Sequence, residues 1–497
     1  MAETLAPLLR RQPPEAPALL APERTPLSHG ALAELCARVE QTLRRAGLGR
    51  GNRLAMVLPN GPDMAAAFVA VANAVTAAPL NPAYTEDEFR FYMADARADA
   101  LLTDAAPSPA RQAAAALGLP VITLTPRDGA GDFDLTVDQP IARRHDEPGP
   151  ALVMHTSGTT ARPKLVLLTA ANLLASADNI RRSLRLAPED RGLTIMPLFH
   201  IHGLMAGVLA PLAAGGSIFC TPGFNALKFF AWLAESGANW YTAVPTMHQA
   251  ILARAGRNPD VIAAHPLRFI RSSSAALPAP VFAALEQTFA CPVIEAYAMT
   301  ENAHQMTSNQ LPPGSRKPGS VGCAAGPEVA VMAEDGRLLP PGELGEVVTR
   351  GANVTPGYEN NPAANAAAFA HGWFHTGDQG VMDEEGFLCL TGRLKELINR
   401  GGEKISPLEV DAVLLSHPAV GQALTFAMPH ASLGEEVAAA IVLREGQTVS
   451  EGALQEFARA RLSAFKVPRR VVIVDDIPKG PTGKLQRIGL AQKLGLA

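Results

Sequence analysis

No two cysteines in this chain are spaced as a disulfide framework or a cysteine-built metal site requires. Cys36, Cys220, Cys291, Cys323 and Cys389 lie far apart and form no C-x-x-C pair, which argues against a structural zinc site and fits a reducing compartment. A basic block is missing too. The 43 Lys and Arg residues against 47 Asp and Glu leave a formal net charge of −4, so no nucleic-acid partner is expected. No apolar run reaches the roughly 18 residues of a membrane span. The most apolar window, near 203–220, is interrupted by Gly and Pro and reads as core. The opening Met-Ala-Glu-Thr-Leu lacks a basic stretch followed by an apolar one, and the closing Lys-Leu-Gly-Leu-Ala is no peroxisomal address. Internal repeats and low-complexity tracts are likewise absent. A soluble, cytoplasmic protein is expected, and 497 residues are enough for more than one domain.

What is present is a rhythm of short apolar strands and helices. Ser28 is placed to cap a helix through Leu32, Leu35, Val39 and Leu43, with Gly47 to end it. Arg53–Leu58 reads as a strand, Asn60-Gly-Pro turns into a helix through Met64, Phe68 and Val71, and Ala77–Leu80 starts the next strand. The pattern recurs at Leu101, Val121–Leu124, Leu193–Met196, Ile218–Cys220, Trp240–Ala243, Phe269–Ile270 and Val293–Ile294. Such alternation predicts mostly parallel sheets covered by helices. Residues 125–149, polar and carrying Asp-Gly and Pro-Gly signals, read as a surface excursion.

From about Val321 the texture changes. Short alternating segments between Gly and Pro (Val329–Met332, Gly345–Arg350, Gly386–Thr391) predict a small antiparallel or barrel-like unit. Beyond Arg393–Lys395 a compact unit is expected, with helices over 406–415 and 454–462 and strands near 420–428, 437–443 and 471–474. The predicted fold class is α/β. A large N-terminal domain, 1–394, would hold parallel α/β subdomains plus a small β-barrel, and a small α+β C-terminal domain, 395–497, would follow.

The stretch His155-Thr-Ser-Gly-Thr-Thr-Ala-Arg-Pro-Lys164 carries the first chemistry. The hydroxyls of Thr156, Ser157, Thr159 and Thr160 crowd around Gly158, and the charges of Arg162 and Lys164 follow at once. Apolar strands are predicted on either side, at 151–154 and 165–168, so backbone N–H groups and hydroxyls can wrap phosphate oxygens. A lysine there adds charge-assisted contacts of about 1.5–3 kcal/mol each. This is not the P-loop of kinases and GTPases, because Pro163 and Leu165 stand where that motif needs its second glycine and its hydroxyl. A Ser/Thr-rich surface turn is the competing reading of this stretch alone.

Three further stretches add to it. In Glu295-Ala-Tyr-Ala-Met-Thr-Glu301, after the predicted 293–294 strand, Tyr297 offers an aromatic face for a base, Thr300 a hydroxyl, and Glu301 a carboxylate for Mg2+. A helix N-terminus capped by Thr300 is the alternative. Gly372-Trp-Phe-His-Thr-Gly-Asp378 ends in a carboxylate able to accept two ribose hydroxyls, although a lone Asp after Gly is usually a turn residue. Pro481-Thr-Gly-Lys484 places a lysine near the end of the chain, where a solvated charge is the ordinary reading.

In this order, over 156–484, the motifs resemble those of the adenylate-forming enzymes: acyl-CoA synthetases, luciferases and the adenylation domains of peptide synthetases. The sequence departs from that family's usual glycines at Ala161, Leu165 and Ala298. The resemblance implies that Thr156, Ser157, Gly158, Thr159, Thr160 and Lys164 hold the ATP phosphates. Glu295, Ala296 and Tyr297 would border the nucleotide, and Asp378, assisted by Arg393, would hold the ribose. Thr300, Glu301 (with Mg2+), His200 and Lys484 would serve the reaction. Lys395 would be the hinge of a mobile C-terminal lid, and Gly402, in Gly401-Gly402-Glu403-Lys404, would line a tunnel for the pantetheine arm of coenzyme A. The need for Lys484 is plain: a carboxylate attacking a phosphate is anion meeting anion, and a lysine delivered by a closing lid neutralises the charge that develops.

Shared phosphate motifs do not choose the acid. His200 and His202, in Leu198-Phe-His-Ile-His-Gly203, fall on one side if that segment is extended, and no further zinc ligands are apparent near them. Ser274, in Arg271-Ser-Ser-Ser-Ala-Ala-Leu277, stands where the family commonly has glycine, and His304 stands where members acting on fatty or aromatic acids more often have apolar residues. With His200 and His202 these would make a small polar acyl pocket suited to a short dicarboxylate. The wording of Trp240–Thr246, Arg268–Ser272, Glu295–Thr300 and Leu397–Pro407 looks closely like oxalate–CoA ligases of plants and fungi. The expected substrates are therefore oxalate, ATP with Mg2+, and coenzyme A. The open alternatives are a ligase for malonate, a medium-chain or a 4-coumarate-like acid, an enzyme loading a carrier protein, a luciferase-like oxygenase, and an inactive nucleotide binder.

Overall fold

The computed structural model describes residues 4–9, 13–139, 141, 149–156, 163–479 and 485–497. Two large sheets dominate. One has seven strands in the order Phe133–Val137, Val121–Pro126, Ala100–Thr103, Arg53–Val57, Thr76–Pro79, Leu152–His155, Leu165–Leu168. Its inner strands are parallel and its two outermost pairs antiparallel. The 125–149 stretch is therefore more than a surface excursion. Phe133–Val137 pairs with Val121–Pro126 as an edge strand, and Phe133 is buried beneath it.

The second sheet has nine strands, running Cys323–Ala324, His304–Ser308, Val293–Met299, Phe269–Ser273, Trp240–Ala243, Arg191–Thr194, Ser217–Cys220, Pro17–Ala21, Arg24–Ser28. The strands from Val293–Met299 to Pro17–Ala21 are parallel. The last two come from the start of the chain, and Pro17–Ala21 pairs with a strand about two hundred residues later. Helix Pro62–Ala74 touches strands of both sheets, and every residue from Met64 to Ala74 is buried. Its run of alanines explains how: small side chains on all faces let strands and helices approach from every side. Pro62 at its first turn and Asp63 beside it suit a helix start.

The barrel-like unit is an open four-stranded antiparallel sheet, Glu328–Met332, Leu344–Arg350, Phe374–Met382, Leu388–Arg393, whose two outer strands do not pair with each other. Past it, a sheet in the order Glu403–Ile405, Ile398–Arg400, Gly434–Leu443, Val420–His430 carries Arg470–Ile473 parallel to Gly434–Leu443. This C-terminal sheet and helices Pro407–Leu415 and Glu451–Arg459 enclose an apolar cluster of their own, built on Ile398, Val410, Leu414, Val437 and Leu454. Ser406 caps the first of these helices, as Ser28 caps helix His29–Arg45. Among the described residues no helix is long and apolar enough to cross a membrane.

Candidate active site

The first predicted loop is the connection of a hairpin. Leu152–His155 pairs antiparallel with Leu165–Leu168, and His155 faces Leu165. At the mouth, the Thr156 amide donates to the Lys164 carbonyl at 2.9 Å, and the Lys164 amide approaches Thr156 Oγ1 at 3.4 Å. Ser157, Gly158, Thr159 and Thr160 lie outside the described residues, as does Lys484. His155 is anchored from behind by Asp95, 2.9 Å from its Nε2.

Chain 357–359 runs alongside the second strand of that hairpin. The Glu359 amide donates to Leu165 O at 3.0 Å, and Val166 and Tyr358 form a bridge. This seats Tyr358 against Lys164, whose Nζ is 4.3 Å from the ring centroid, while the Tyr358 hydroxyl donates to Glu301 Oε1 at 2.8 Å. Glu301 is buried in the short turn Thr300–Asn302, and burial lifts its carboxyl above the usual range against the opposing pull of Tyr358, Lys164 and Arg393. Burial also lowers the Lys164 ammonium; the Glu301 charge opposes this and the Lys395 charge adds to it. Thr300, partly exposed, opens the same turn, so it caps no longer helix.

The strand predicted to stop at Ile294 continues to Met299, and it therefore carries Glu295, Ala296 and Tyr297 within the sheet rather than beyond its end. From there the Tyr297 hydroxyl donates to Asp378 Oδ2. Asp378 and Arg393 are cross-strand partners, with Arg393 Nε 3.1 Å from Asp378 Oδ1. Burial and the Asp378 charge push the Tyr297 phenol far above its ordinary range, so it stays a donor. Glu295 lies opposite Ser272 on the neighbouring strand. Burial pushes its carboxyl up to about 7 even though the Gly319 and Leu277 amides favour the charged form.

The other predicted cluster sits at the ends of parallel strands Trp240–Ala243 and Phe269–Ser273. His202 is fully buried, with Nδ1 3.0 Å from Ser274 Oγ and Nε2 2.6 Å from Thr242 Oγ1. Its ring stacks on His304 at 4.8 Å and 24°. Ser274 and His304 have φ of 75° and 96°, left-handed values that non-glycine residues seldom adopt. The extended His200–His202 segment is not found. His200 instead caps the helical turn Ile201–Leu204, its Nδ1 accepting from the His202 amide at 3.3 Å. Of the three serines, Ser272 and Ser273 are buried and only Ser274 is partly exposed.

Downstream, Lys395 is exposed in the turn between Leu388–Arg393 and Ile398–Arg400. Gly402 sits with Gly401 in a two-residue hairpin turn, with φ of 99° and 59°, so local backbone geometry alone calls for both glycines. Three residues past Lys484, Arg487 pairs with Asp411 at 2.6 Å and Glu396 at 3.4 Å, which ties the end of the chain to the segment after Lys395.

Two residues in these clusters escaped the sequence reading. Tyr358 carries no motif, and its role depends on a strand-like seating far from its chain neighbours. Arg271 did leave a signal, a charge inside an apolar strand. Its side chain is fully buried, with Nη1 3.4 Å from both His202 Nε2 and Thr242 Oγ1, and Nη2 3.3 Å from Gln305 Oε1.

The parallel α/β body, the hairpin whose Lys164 lies against Tyr358 and the buried Glu301, and the Asp378–Arg393–Tyr297 triad suit a nucleotide-using enzyme. The chain belongs to the AMP-binding enzyme family, whose model matches residues 8–359 and whose C-terminal domain model matches 409–484, and it is an adenylate-forming acyl-CoA synthetase. It is 47% identical to an oxalate–CoA ligase of Arabidopsis thaliana, over 94% of this chain and 93% of that protein. It is 41% identical to an oxalate–CoA ligase of Saccharomyces cerevisiae, over 89% and 87% respectively. The crystal structure of ATP-bound MatB from Rhodopseudomonas palustris superposes with a TM-score of 0.88 at 29% identity, covering 99% of both chains.

Proposed function

We propose that the enzyme joins oxalate to coenzyme A. Oxalate and ATP give oxalyl-adenylate and diphosphate. The thiol of coenzyme A then attacks the acyl carbon and expels AMP. The observation that carries the choice of acid is the hydrogen-bonded His202–Ser274 pair stacked on His304. An aliphatic or aryl tail against Ser274, the partly exposed member, would cost about 1–3 kcal/mol by depriving its hydroxyl of water, whereas a second carboxylate accepts from it. The likeness to two oxalate–CoA ligases supports the same reading.

In this proposal Thr156 and Lys164, with the 157–160 loop, hold the phosphates. Asp378, fixed by Tyr297 and Arg393, accepts the ribose hydroxyls, and Glu295 and Ala296 border the nucleotide. Glu301 would hold Mg2+. A single buried carboxylate suits an ion that takes most of its oxygens from phosphate and water, and among the described residues no group of three or more acidic, His or Cys side chains offers a fuller cage. Bound there, the ion would offset phosphate charge. The C-terminal unit from 395 onward acts as the lid, turning about Lys395 to bring Lys484 to the α-phosphate and, in its other pose, the Gly402 turn to the thiol arm. His200 lines the acyl side.

The test is release of AMP and diphosphate with Mg-ATP and coenzyme A across oxalate, malonate, acetate, octanoate and 4-coumarate. Oxalate is expected to lead by at least about tenfold, one well-placed contact's worth, and His304→Ala to reduce that lead. A preference for octanoate or coumarate would sink the oxalate assignment and leave adenylation standing.

A further inference from the structure

Arg271 holds a guanidinium that the fold buries without a counter-charge. Its residue is 0% accessible, its Nε has no acceptor, and its three contacts are long and all to neutral partners: Thr242, His202 and Gln305. Among the described residues no Asp or Glu pairs with it. The other buried arginine among the described residues does not share this condition: Arg53 meets Glu359 at 2.6 Å. Burying a charge costs several kcal/mol unless something compensates it. Burial does pull the Arg271 guanidinium down, to about 9, which still leaves it charged at neutral pH.

Its neighbours give the charge a direction. A guanidinium can only donate, so His202 Nε2, facing Arg271 Nη1 and the Thr242 hydroxyl, must present its lone pair. The ring proton then sits on Nδ1 and is donated to Ser274 Oγ at 3.0 Å. Ser274 accepts that bond, which leaves its own hydroxyl hydrogen to point elsewhere. Ser274 is the partly exposed member of the series, held at φ 75°. A positive charge in the core is thereby expressed at the surface of the cluster as a hydroxyl donor.

We propose that Arg271 is the specificity-determining positioning residue of the acyl site: acting through His202 on Ser274, it makes the site favour an acid with a second anionic group beside the reacting carboxylate. This rests on the dicarboxylate reading of the preceding section. The bound anion supplies the counter-charge that the fold leaves out. The binding site, unlike bulk water, is arranged for that charge in advance.

The experiment compares oxalate with oxamate, in which a neutral amide replaces one carboxylate at nearly the same size. For the wild-type chain, Arg271→Lys, Arg271→Gln and Ser274→Ala, kcat/KM is measured for both acids with Mg-ATP and coenzyme A, and folding is checked by thermal unfolding. The expected result is a wild-type preference for oxalate that falls at least tenfold in Arg271→Gln, through KM for the acid more than through kcat, and that Arg271→Lys partly restores. A purely structural role would lower both acids together and leave their ratio alone. That outcome overturns the inference while the oxalate reading stands. A wild-type enzyme with no preference for oxalate over oxamate overturns both. Should Arg271→Gln not fold, Ser274→Ala decides at the other end of the relay: a collapsed ratio supports the inference and an unchanged one overturns it.

Discussion

At Asp378 a buried carboxylate meets Arg393 at 3.1 Å across two paired strands and accepts a hydrogen bond from the Tyr297 phenol as well. On the opposite side of strand Val293–Met299, Arg271 is equally buried but meets only hydroxyl, imidazole and amide groups. The first arrangement is complete in itself, with acceptor lone pairs left over. The second lacks a carboxylate among the described residues. Glu295, between them, shows the third course open to a buried charge. No cation pairs with it among the described residues, and its carboxyl takes up a proton near neutrality. Arginine cannot follow that course, because its guanidinium holds its proton too tightly. A lone buried arginine therefore remains a standing demand for an anion, whereas a lone buried glutamate becomes a neutral group.

The contrast breaks most severely at Asp378. Asp378→Ala would strand the Tyr297 hydroxyl and leave the exposed Arg393 without its carboxylate. With two charge-assisted bonds at about 1.5–3 kcal/mol each, kcat/KM for ATP should fall at least about a hundredfold. A loss under tenfold in steady-state AMP formation would mean that Asp378 does not hold the nucleotide. A smaller effect is expected from Tyr358→Phe, which deletes the 2.8 Å hydroxyl bond to Glu301 and keeps the ring under Lys164. One hydroxyl donor to a carboxylate, about 1.5 kcal/mol at the low end for a charged acceptor, predicts roughly a tenfold shift in the magnesium concentration that half-activates the enzyme. An unmoved magnesium titration would detach the Glu301–Tyr358 pair from the metal.

The smallest effect concerns Glu295. Its folded-state carboxyl is raised from 4.5 to about 7, so between these values the folded protein binds more protons than the unfolded chain. Stability from this group is fully present below pH 4.5 and is lost as pH rises through about 7. Glu295→Gln cannot titrate and escapes the loss. The Tm of the variant relative to wild type should therefore climb between pH 5 and 8, by on the order of 1–2 °C in so large a chain. A flat difference would show that Glu295 is ionised throughout and has found a cation.

Individual residues show where the sequence sufficed. The sequence singles out Asp378 and Glu301 because each ends a short motif whose residue types leave few other uses. That Asp378 faces Arg393, 15 residues on, is a matter of cross-strand register, which no motif spells out. The two histidines at 200 and 202 were placed on one face of an extended segment, but the chain turns helical at Ile201, and the real partners of His202, Thr242 and Ser274, arrive from other strands. Gly402 shows a glycine with a local reason as well: its positive φ in a tight hairpin calls for glycine whatever binds there.

By itself, then, the order of residues determined the α/β class and picked out the hydroxyl-rich stretch and the carboxylates Glu301 and Asp378 as candidates, because these depend on local periodicity and short-range chemistry. Tertiary structure alone decided that Tyr358 reaches Lys164 and Glu301, that Pro17–Ala21 completes a sheet begun far down the chain, and that Arg271 is buried with no carboxylate beside it among the described residues. The physical reason is common to all three. Whether a charge or a strand edge is satisfied depends on what packs against it from distant parts of the chain, and burial converts that geometry into the energy on which binding draws.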